Sequence, residues 1–343
     1  MERMRDSLLN SNEQTRLSVL EICAGGGGQA IGLELAGFGL SGAIEIDHHA
    51  CDSLRRNRPH WNVINGSISD VSGKKFSGID LIAGGVPCPP FSIAGKQLGH
   101  RDERDLFPEA LRLVSEASPA AVMLENVPGF ASARFQYYRR GLVRKLTQLG
   151  YESQWRVVNA SWFGVAQLRP RFVLVAFKGA FPDTFKWPGP KGIAPPAVGE
   201  VIGDLMASRG WRGAKVWRRQ AKGIAPTIVG GSKKHGGPDL GPTRARRQWA
   251  ALAVDGLGIA DEPPGPELPV TFVPRLTVRM VARLQGFPDS WVFAGGKTAA
   301  YRQVGNAFPP PVAFAVGEAV HTVLVGSVQS NQKSPLSLFA AAI

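Results

Sequence analysis

The sequence predicts an α/β protein with a doubly wound, mainly parallel sheet and a second, smaller and irregular domain. Short apolar runs alternate with helical patterns from "RLSVLEICAGGGGQAIGLELAGF" onward, which is typical of βαβ units. A glycine-rich turn follows the first apolar run, where a strand would pass into a helix. After "FPDTFKWPGPKGIAPP", prolines, glycines and tryptophans replace clean periodicity, which indicates a change of domain.

The elements of the first domain follow one another as apolar runs and amphipathic stretches. We expect strands where short apolar or β-branched runs lie between turn residues, and helices where apolar residues recur every three or four positions. The predicted strands are "SVLEIC", "LSGAIEI", "IDLIAGG", "AAVMLENV", "YESQWRVVNA" and "RFVLVAF". The predicted helices cover residues 28–37, 48–57, 105–117 and 137–149.

The composition is that of a globular protein with a strongly positive charge. The chain has 343 residues, 44% of them hydrophobic, and a formal net charge of +13. This excess favours a polyanionic partner, either nucleic acid or an acidic membrane surface. Residues 205–250 contain eleven Lys or Arg and one acid, Asp239. Because Trp211, Trp217 and Trp249 interleave with these cations, as in phosphate-tracking surfaces with aromatic platforms, the predicted partner is nucleic acid.

Targeting and cysteine patterns indicate a soluble, cytoplasmic protein without a membrane partner. The N-terminal stretch "MERMRDSLLNSNEQTR" lacks the apolar core of a signal peptide, and no window approaches the roughly 18 uninterrupted apolar residues of a membrane span. The three cysteines, Cys23, Cys51 and Cys88, are odd in number and have no CxxC spacing. Neither a disulfide framework nor a metal site is therefore predicted.

Two features of the first βαβ unit predict a cofactor that contains adenosine. "EICAGGGGQAIG" places a glycine-rich turn between a strand and a helix, where a ligand can approach the backbone N–H groups. Glu45 lies at the end of the next apolar run, roughly 20 residues downstream, where a carboxylate can accept both ribose hydroxyls. These features do not distinguish NAD, FAD and adenosylmethionine.

Reactive side chains occur in three further motifs at strand ends. "GGVPCPPFS" places Cys88 in a stiff turn between prolines. "VMLENVPG" puts Glu125 and Asn126 at the carboxyl end of a strand, where burial would keep a proton on Glu125 near neutrality. Arg169 and Arg171 are two apart at the start of a strand, so they can point to one face. The alternatives are a surface arginine pair and a salt-bridge partner for the acids on the cofactor side. Together these groups suit addition of a thiolate to an electron-poor ring.

Seven motifs, in this order, resemble those of the cytosine-C5 DNA methyltransferases of bacterial restriction-modification systems. They are "EICAGGGG" with "GLELAGF", "IEIDHHA", "GGVPCPPFS", "LENVPGF", "AQLRPR", "RLTVRMVARLQGFPD" and "YRQVGNAFPPPVA". The resemblance covers most of the chain and implies the Rossmann-like fold of class I adenosylmethionine-dependent methyltransferases. It also implies transfer of a methyl group from S-adenosylmethionine to C5 of a cytosine that is flipped out of duplex DNA.

The resemblance implies catalytic roles for residues of two motifs at the ends of strands. Cys88 would be the nucleophile that adds to C6 of the cytosine, and Pro87 would fix its loop. Glu125 would donate a proton to N3 of the base. Asn126 would help to hold the loop of its own motif.

The resemblance also implies roles at the base carbonyl and at the cofactor. Arg171 would contact the base oxygen O2, and Arg169 would support the neighbouring catalytic groups. Glu45 would bind ribose, Ile46 would pack on adenine, and Asn306 would border the methionine part of the cofactor. The complete set of expected cofactor-binding residues is Cys23, Ala24, Gly25, Gly27, Gly28, Glu45, Ile46, Asn306 and Ala307. In this set Cys23 replaces the usual phenylalanine of the first motif.

The resemblance further implies the domain organisation and the partners. We expect a flexible segment at 1–16, a catalytic domain at 17–178 plus 290–326, a target-recognition domain at 179–289 and a flexible tail at 327–343. The expected partners are double-stranded DNA and a cognate restriction endonuclease that acts separately, and one basic cleft suits a monomer. Two alternatives stay open: the same chemistry on tRNA, and a catalytically silent DNA-binding protein on the same scaffold.

Overall fold

The computed structural model describes residues 16–87, 105–190, 192, 194–230 and 238–332, with side chains up to residue 326. The predicted nucleophile Cys88 lies outside these residues. So do the predicted C-terminal tail at 327–343, apart from the backbone of its first six residues, and nearly all of the predicted N-terminal segment.

One seven-stranded sheet forms the centre of the protein, with the strand order β3-β2-β1-β4-β5-β7-β6. Strands β1 to β5 pair in parallel with one another, whereas β7 is antiparallel to both β5 and β6. The strands are β1 Ser18–Ile22, β2 Gly39–Glu45, β3 Val63–Asn65, β4 Leu81–Gly85, β5 Ala121–Asn126, β6 Tyr151–Asn159 and β7 Pro170–Lys178. The predicted α/β class with a mainly parallel sheet is confirmed. Strand β3 was not predicted, because three residues are too few to show a periodic pattern.

Ten α-helices accompany the sheet within the described residues. They are α1 Gly28–Leu35, α2 His48–Asn57, α3 Phe107–Ala117, α4 Gln136–Gln148, α5 Val198–Ala207, α6 Ala214–Gln220, α7 Thr243–Ala250, α8 Val278–Leu284, α9 Lys297–Asn306 and α10 Pro310–Gln332. The first four lie where the sequence predicts helices, within two residues at each end. Helix α2 starts where the Asp47 side chain accepts hydrogen bonds from the backbone N–H groups of His49 and Ala50.

Both faces of the sheet are covered by helices, as the doubly wound prediction requires. Alternate side chains of β1 enter different cores: Val19 packs with residues of α1 and α10, whereas Leu20 and Ile22 pack with residues of α3 and α4. Because its strands are buried on both faces, the sheet's carboxyl edge is the part left open to a ligand.

Helices α9 and α10 form an apolar C-terminal stretch. Among the described residues, Lys297–Gly326 is the one helical stretch long and apolar enough to cross a membrane, but 61% of its apolar window is buried inside the protein. Helix α10 packs closely on α1, since a Cβ on Gly32 would lie 2.5 Å from the Cβ of Ala313. The apolar side chains of α10 therefore pack in the core of the protein.

The region after β7 has an apolar core in which the three interleaved tryptophans take part. Trp211, Trp217 and Trp249 are 3%, 2% and 0% exposed and pack with Val198, Met206 and further residues of one cluster. The prediction that these rings act as exposed platforms for bases is therefore wrong. A small helical region needs large side chains to fill its core, and these rings supply them.

Candidate active site

A cavity of about 280 Å³ opens at the carboxyl edge of the sheet, where β1, β2, β4 and β5 end. It brings together residues far apart in the sequence, from the glycine-rich turn to the end of α9. Eight of the nine predicted cofactor residues line it, namely Cys23, Ala24, Gly25, Gly28, Glu45, Ile46, Asn306 and Ala307. The predicted catalytic residues Pro87 and Glu125 line the same cavity.

The glycines of the first turn have different surroundings. Gly25 has a positive φ of 55°, and a Cβ there would meet no atom within 4 Å, which leaves space for a ligand next to its backbone. A Cβ on Gly28 would clash with the carbonyl oxygen of Phe308. Gly27, which does not line the cavity, faces the ring of Trp291 at 2.6 Å from such a Cβ. Gly25 thus makes room for a ligand, whereas Gly27 and Gly28 allow the C-terminal region to pack on the turn.

Glu45 is held by backbone groups on both sides of its carboxylate. One oxygen accepts a hydrogen bond from the N–H of Gly25 at 2.7 Å, and the other accepts from the N–H of Asp47 at 2.8 Å. Each oxygen keeps acceptor capacity for a further donor such as a ribose hydroxyl. The neighbouring Ile46 is 72% exposed at the cavity, so a flat apolar group can pack on it.

Glu21 is a site residue that the sequence analysis missed. It lies in β1, is 1% exposed, and its Oε2 atom has no hydrogen-bond partner among the described residues. Burial, and secondly the charge of Glu45, raises the pKa of Glu21 well above its usual range. The same causes, with burial first, raise the pKa of the Cys23 thiol to about 12, so it stays protonated at neutral pH. The sequence does contain a signal that could have identified Glu21, because an acid inside the apolar run "VLEIC" is unusual in a buried strand.

Glu125 and Arg171 form a buried ion pair at this edge. Arg171 Nε lies 2.7 Å from Glu125 Oε1, and the two residues are 6% and 8% exposed. Antiparallel pairing places Glu125 opposite Val173, two residues after Arg171 on the next strand. Burial raises the pKa of Glu125, and the charges of Arg171 and Arg169 offset part of that rise. A carboxyl group of this kind can hold a proton and deliver it to a base.

Asn126 connects β5 to the end of β4. Its side-chain amide donates a hydrogen bond to the carbonyl oxygen of Val86 at 2.8 Å, and its Oδ1 accepts one from the N–H of Val127. Val86 precedes Pro87, which in turn precedes Cys88, the residue outside the described ranges. Asn126 therefore fixes the chain two residues before the predicted nucleophile.

We call the carboxyl edge of the sheet at Glu125 and Arg171 the catalytic edge. Arg169 does not bind there but at a junction where three distant segments meet. Its side chain is fully buried and donates hydrogen bonds to the carbonyl oxygens of Gly305 at 2.7 Å, Ala307 at 2.9 Å and Ile228. Burial lowers the pKa of Arg169 well below its usual range. Because Asn306 lies between two of these carbonyls, Arg169 fixes the segment that carries a predicted cofactor residue.

Two glutamines that were not predicted as site residues complete this junction. Gln167 accepts a hydrogen bond from the N–H of Ile228 at 2.9 Å and donates one to Gln285 Oε1 at 2.7 Å. Gln285 donates to the carbonyl oxygen of Val304 at 2.9 Å. Both belong to motifs quoted above, but only the folded chain shows that they meet.

Six of the eleven basic residues of 205–250 fall into two groups. Arg209 pairs with Glu262, and Arg246 pairs with Asp239. In the described parts of the chain, the other group forms no ion pair and surrounds a groove of about 570 Å³: Lys215, Arg218, Arg219 and Lys222. These four cations remain available for phosphate groups.

The fold and the cavity define a class I methyltransferase. A family model described as C-5 cytosine-specific DNA methylase matches residues 17–322, and the chain therefore belongs to that family. The predicted function, cytosine-C5 methylation of DNA, is confirmed, and the tRNA and silent-binder alternatives receive no support.

Curated relatives agree with this assignment, and solved structures share the fold. The chain is 55% identical to the Type II methyltransferase M.NaeI of Lentzea aerocolonigenes over 312 residues, 90% of this chain and 75% of the relative. It is 52% identical to M.NgoMIV of Neisseria gonorrhoeae over 304 residues, 88% and 96% of the two chains. In fold, it is similar to an Escherichia coli prophage DNA modification methyltransferase, with a TM-score of 0.62, 23% identity and coverage of 90% and 99%. DNMT2 from Spodoptera frugiperda gives a TM-score of 0.63 at 20% identity, with coverage of 88% and 99%.

Proposed function

We propose that the protein methylates C5 of one cytosine within a specific duplex DNA sequence, with S-adenosylmethionine as the methyl donor and Cys88 as the nucleophile. The observation that carries the proposal is the buried pair Glu125–Arg171, in which Glu125 lines the same cavity as the glycine-rich turn. A proton donor and a guanidinium beside a cofactor cavity suit a cytosine, because its N3 accepts a proton and its O2 accepts a hydrogen bond.

The residues of the cavity fit S-adenosylmethionine. Glu45 would hold the ribose hydroxyls, Ile46 would pack on the adenine, and the open backbone at Gly25 leaves room for the ligand. Asn306 and Ala307, which line the same cavity, would border the methionine part. When bound, the cofactor supplies an electrophilic methyl group.

The chain's own residues would activate the base. The Cys88 thiolate forms a bond to C6 while Glu125 delivers its proton to N3, which leaves an electron-rich C5. Arg171 holds O2 and stays paired with Glu125. After C5 has gained the methyl group, the C5 proton is lost to solvent, N3 returns its proton to Glu125, and the Cys88 thiolate leaves C6, which restores the ring. Arg169 acts indirectly, by positioning the segment that carries Asn306.

The cytosine has to leave the double helix, since C5 and C6 are not accessible within a stacked duplex. The unpaired cations of α6 and the following turn would bind phosphate groups, and side chains of the 179–289 region would read base edges. We propose that this region is the target-recognition domain and that the enzyme acts as a monomer in the cytoplasm. The relatives M.NaeI and M.NgoMIV are named Type II methyltransferases, which supports a protective role beside a cognate restriction endonuclease.

The test maps 5-methylcytosine in mixed-sequence duplex DNA after incubation with S-adenosylmethionine and the purified enzyme. We expect methylation in one short sequence, complete loss in Cys88→Ala, and retention in the control Cys51→Ser, whose thiol is buried on α2. Methylation by Cys88→Ala at the wild-type rate would remove the nucleophile assignment. Methylation of tRNA instead of duplex DNA would overturn the proposed substrate.

A further inference from the structure

The outer face of α4 carries a cluster of positive charge outside the cavity and outside the 179–289 region. We propose that this face is a second DNA-contacting surface, which binds the phosphate backbone of the duplex beyond the target sequence. The inference rests on the proposed function, because it takes the substrate duplex as the polyanion. We define the α4 basic face as Arg140, Arg144 and Lys145, with Gln136 and Tyr137 at its start.

The charge of this segment has one sign. Residues 127–151 contain five cations and no acid: Arg134, Arg139, Arg140, Arg144 and Lys145. Such a run raises the local positive potential, since no carboxylate nearby in the sequence neutralises it.

The α4 basic face is exposed, and its three cations have no ion-pair partner among the described residues. Leu142 and Leu146 turn inward to the core, whereas Arg140, Arg144 and Lys145 lie on the exposed side of the helix. Across the ranges that the structure describes, the side chains of these three residues form no hydrogen bond and no ion pair.

Helix α3, on the same face of the sheet, shows the contrast. Its Arg112 is bound by Glu109 and Glu116, each at 2.8 Å, and also donates to backbone carbonyls. A guanidinium that is neutralised by two carboxylates attracts an external anion only weakly. The N–H donors of Arg140, Arg144 and Lys145, in contrast, are all available to a phosphate group.

A groove of about 410 Å³ separates α4 from β6 and adds an aromatic wall to this surface. Trp155 of β6 is 41% exposed, and the guanidinium of Arg139 lies 5.0 Å from the centre of its ring. Arg139 also donates hydrogen bonds to the carbonyl oxygens of Phe130 and Ser132. No carboxylate contacts Arg139 among the described residues, so its charge adds to that of Arg140 and Arg144 on the groove.

The position of α4 places this surface beside the catalytic edge. The chain leaves β5 at Asn126, passes through two short 3-10 turns and enters α4 at Gln136. Because Arg139 binds the carbonyl of Phe130, the first turns of α4 lie next to the chain that leaves the edge. A helix of 13 residues is about 20 Å long, which corresponds to about six base pairs of duplex.

The chemistry of the face favours a nucleic-acid backbone over a membrane surface. A helix that lies on a membrane needs large apolar side chains on its outer side. The apolar stripe of α4, with Leu142 and Leu146, is already buried, and the exposed residues are basic apart from Tyr137, Thr147 and two glutamines. The planar guanidinium group of arginine, by contrast, has paired N–H donors whose spacing fits the oxygens of a phosphate group.

The experiment compares the full-length wild type with Arg140→Gln/Arg144→Gln and with the control Lys74→Gln/Lys75→Gln, which removes the same charge from an exposed turn near α3. Each protein is titrated with duplexes of about 12 and about 40 base pairs, centred on the sequence that the methylation mapping yields, at several NaCl concentrations. We expect the α4 variant to bind the long duplex on the order of tenfold more weakly, with a salt slope lower by about 1.8, and to bind the short duplex like the wild type. The control should match the wild type on both.

Three results would overturn the inference. Unchanged affinity and salt slope on the long duplex would show that α4 does not contact DNA. An equal loss of affinity for the short and the long duplex would show instead that these arginines contact DNA at the target sequence. Loss of binding to anionic phospholipid vesicles, with DNA binding intact, would assign the face to a membrane. Methyl transfer by the α4 variant into the short duplex is measured in parallel, so failure of the proposed function is distinguishable from failure of this surface.

Discussion

Two regions of the molecule contain buried arginines only two residues apart, with opposite surroundings. At the catalytic edge Arg171 pairs with the Glu125 carboxylate, whereas at the junction Arg169 is surrounded by the carbonyl oxygens of Ile228, Gly305 and Ala307. A guanidinium beside a titratable group influences where a proton resides. A guanidinium held by carbonyls acts on such a group only as a more distant charge, as Arg169 does on Glu125, and its main role is to link segments that would otherwise leave polar atoms unsatisfied. The difference shows that proximity in sequence does not imply a shared role.

The largest expected effect concerns the catalytic edge. Glu125→Gln keeps the shape of the side chain and removes its transferable proton, so we expect the rate of methyl transfer to fall by about 10²- to 10⁴-fold. Affinity for S-adenosylhomocysteine should change little, because Glu45 and the glycine-rich turn are untouched. Single-turnover rates and calorimetric titration measure the two quantities. A rate within threefold of wild type would remove Glu125 from the chemistry.

The junction should respond in stability rather than in chemistry. Arg169→Met leaves three buried carbonyl oxygens without their donors, so we expect the free energy of unfolding to fall on the order of 3 kcal/mol. Urea unfolding measures this loss. The matched variant is Arg171→Met, whose partner Glu125 can become neutral by binding a proton, so its stability loss should be smaller and its rate loss larger. Equal stability losses in the two variants would contradict the comparison.

The smallest effect is a pH dependence that belongs to the catalytic edge alone. Burial raises the pKa of Glu125 in the folded protein above its unfolded value. The protonated carboxyl therefore contributes stability that is fully present below the unfolded pKa and is lost as pH rises through the folded pKa. Proton donation to the base is lost over the same range. Urea midpoints and single-turnover rates across pH should show this decline toward higher pH in the wild type. Glu125→Gln should lose the decline in rate and should show a shallower decline in the urea midpoint, since the raised pKa of Glu21 still contributes one.

Local patterns predicted the elements of the sheet domain well. The glycine-rich turn, the apolar strand before Glu125 and the capped start of α2 at Asp47 all depend on near neighbours in the chain. Strand β3 was not predicted, because its three residues form a strand only by pairing with β2. Pairing of this kind is a property of the assembled sheet.

The tryptophans of the second region show where pattern reasoning was wrong. Interleaved rings and cations resemble a binding surface in sequence, but Trp217 donates its indole N–H to the carbonyl of Ala253 at 3.0 Å and is buried. Periodicity there is weak, so the sequence does not show which face of each short helix turns inward. The basic side chains of α6 still lie on the surface, since a charged group is costly to bury.

The sequence by itself determined the chemistry: a thiol between prolines, a carboxyl and two guanidiniums at strand ends, and a carboxylate about twenty residues after a glycine-rich turn. Only the tertiary structure decided which of these groups meet. It paired Arg171 with Glu125, directed Arg169 to the junction, brought Asn306 into the same cavity as Glu45, and left the basic face of α4 uncovered. Side-chain type fixes what a group can do. Its partner and its burial depend on segments distant in the sequence, since 46 residues separate Arg171 from Glu125 and 136 separate Arg169 from Gly305, and no local pattern contains them.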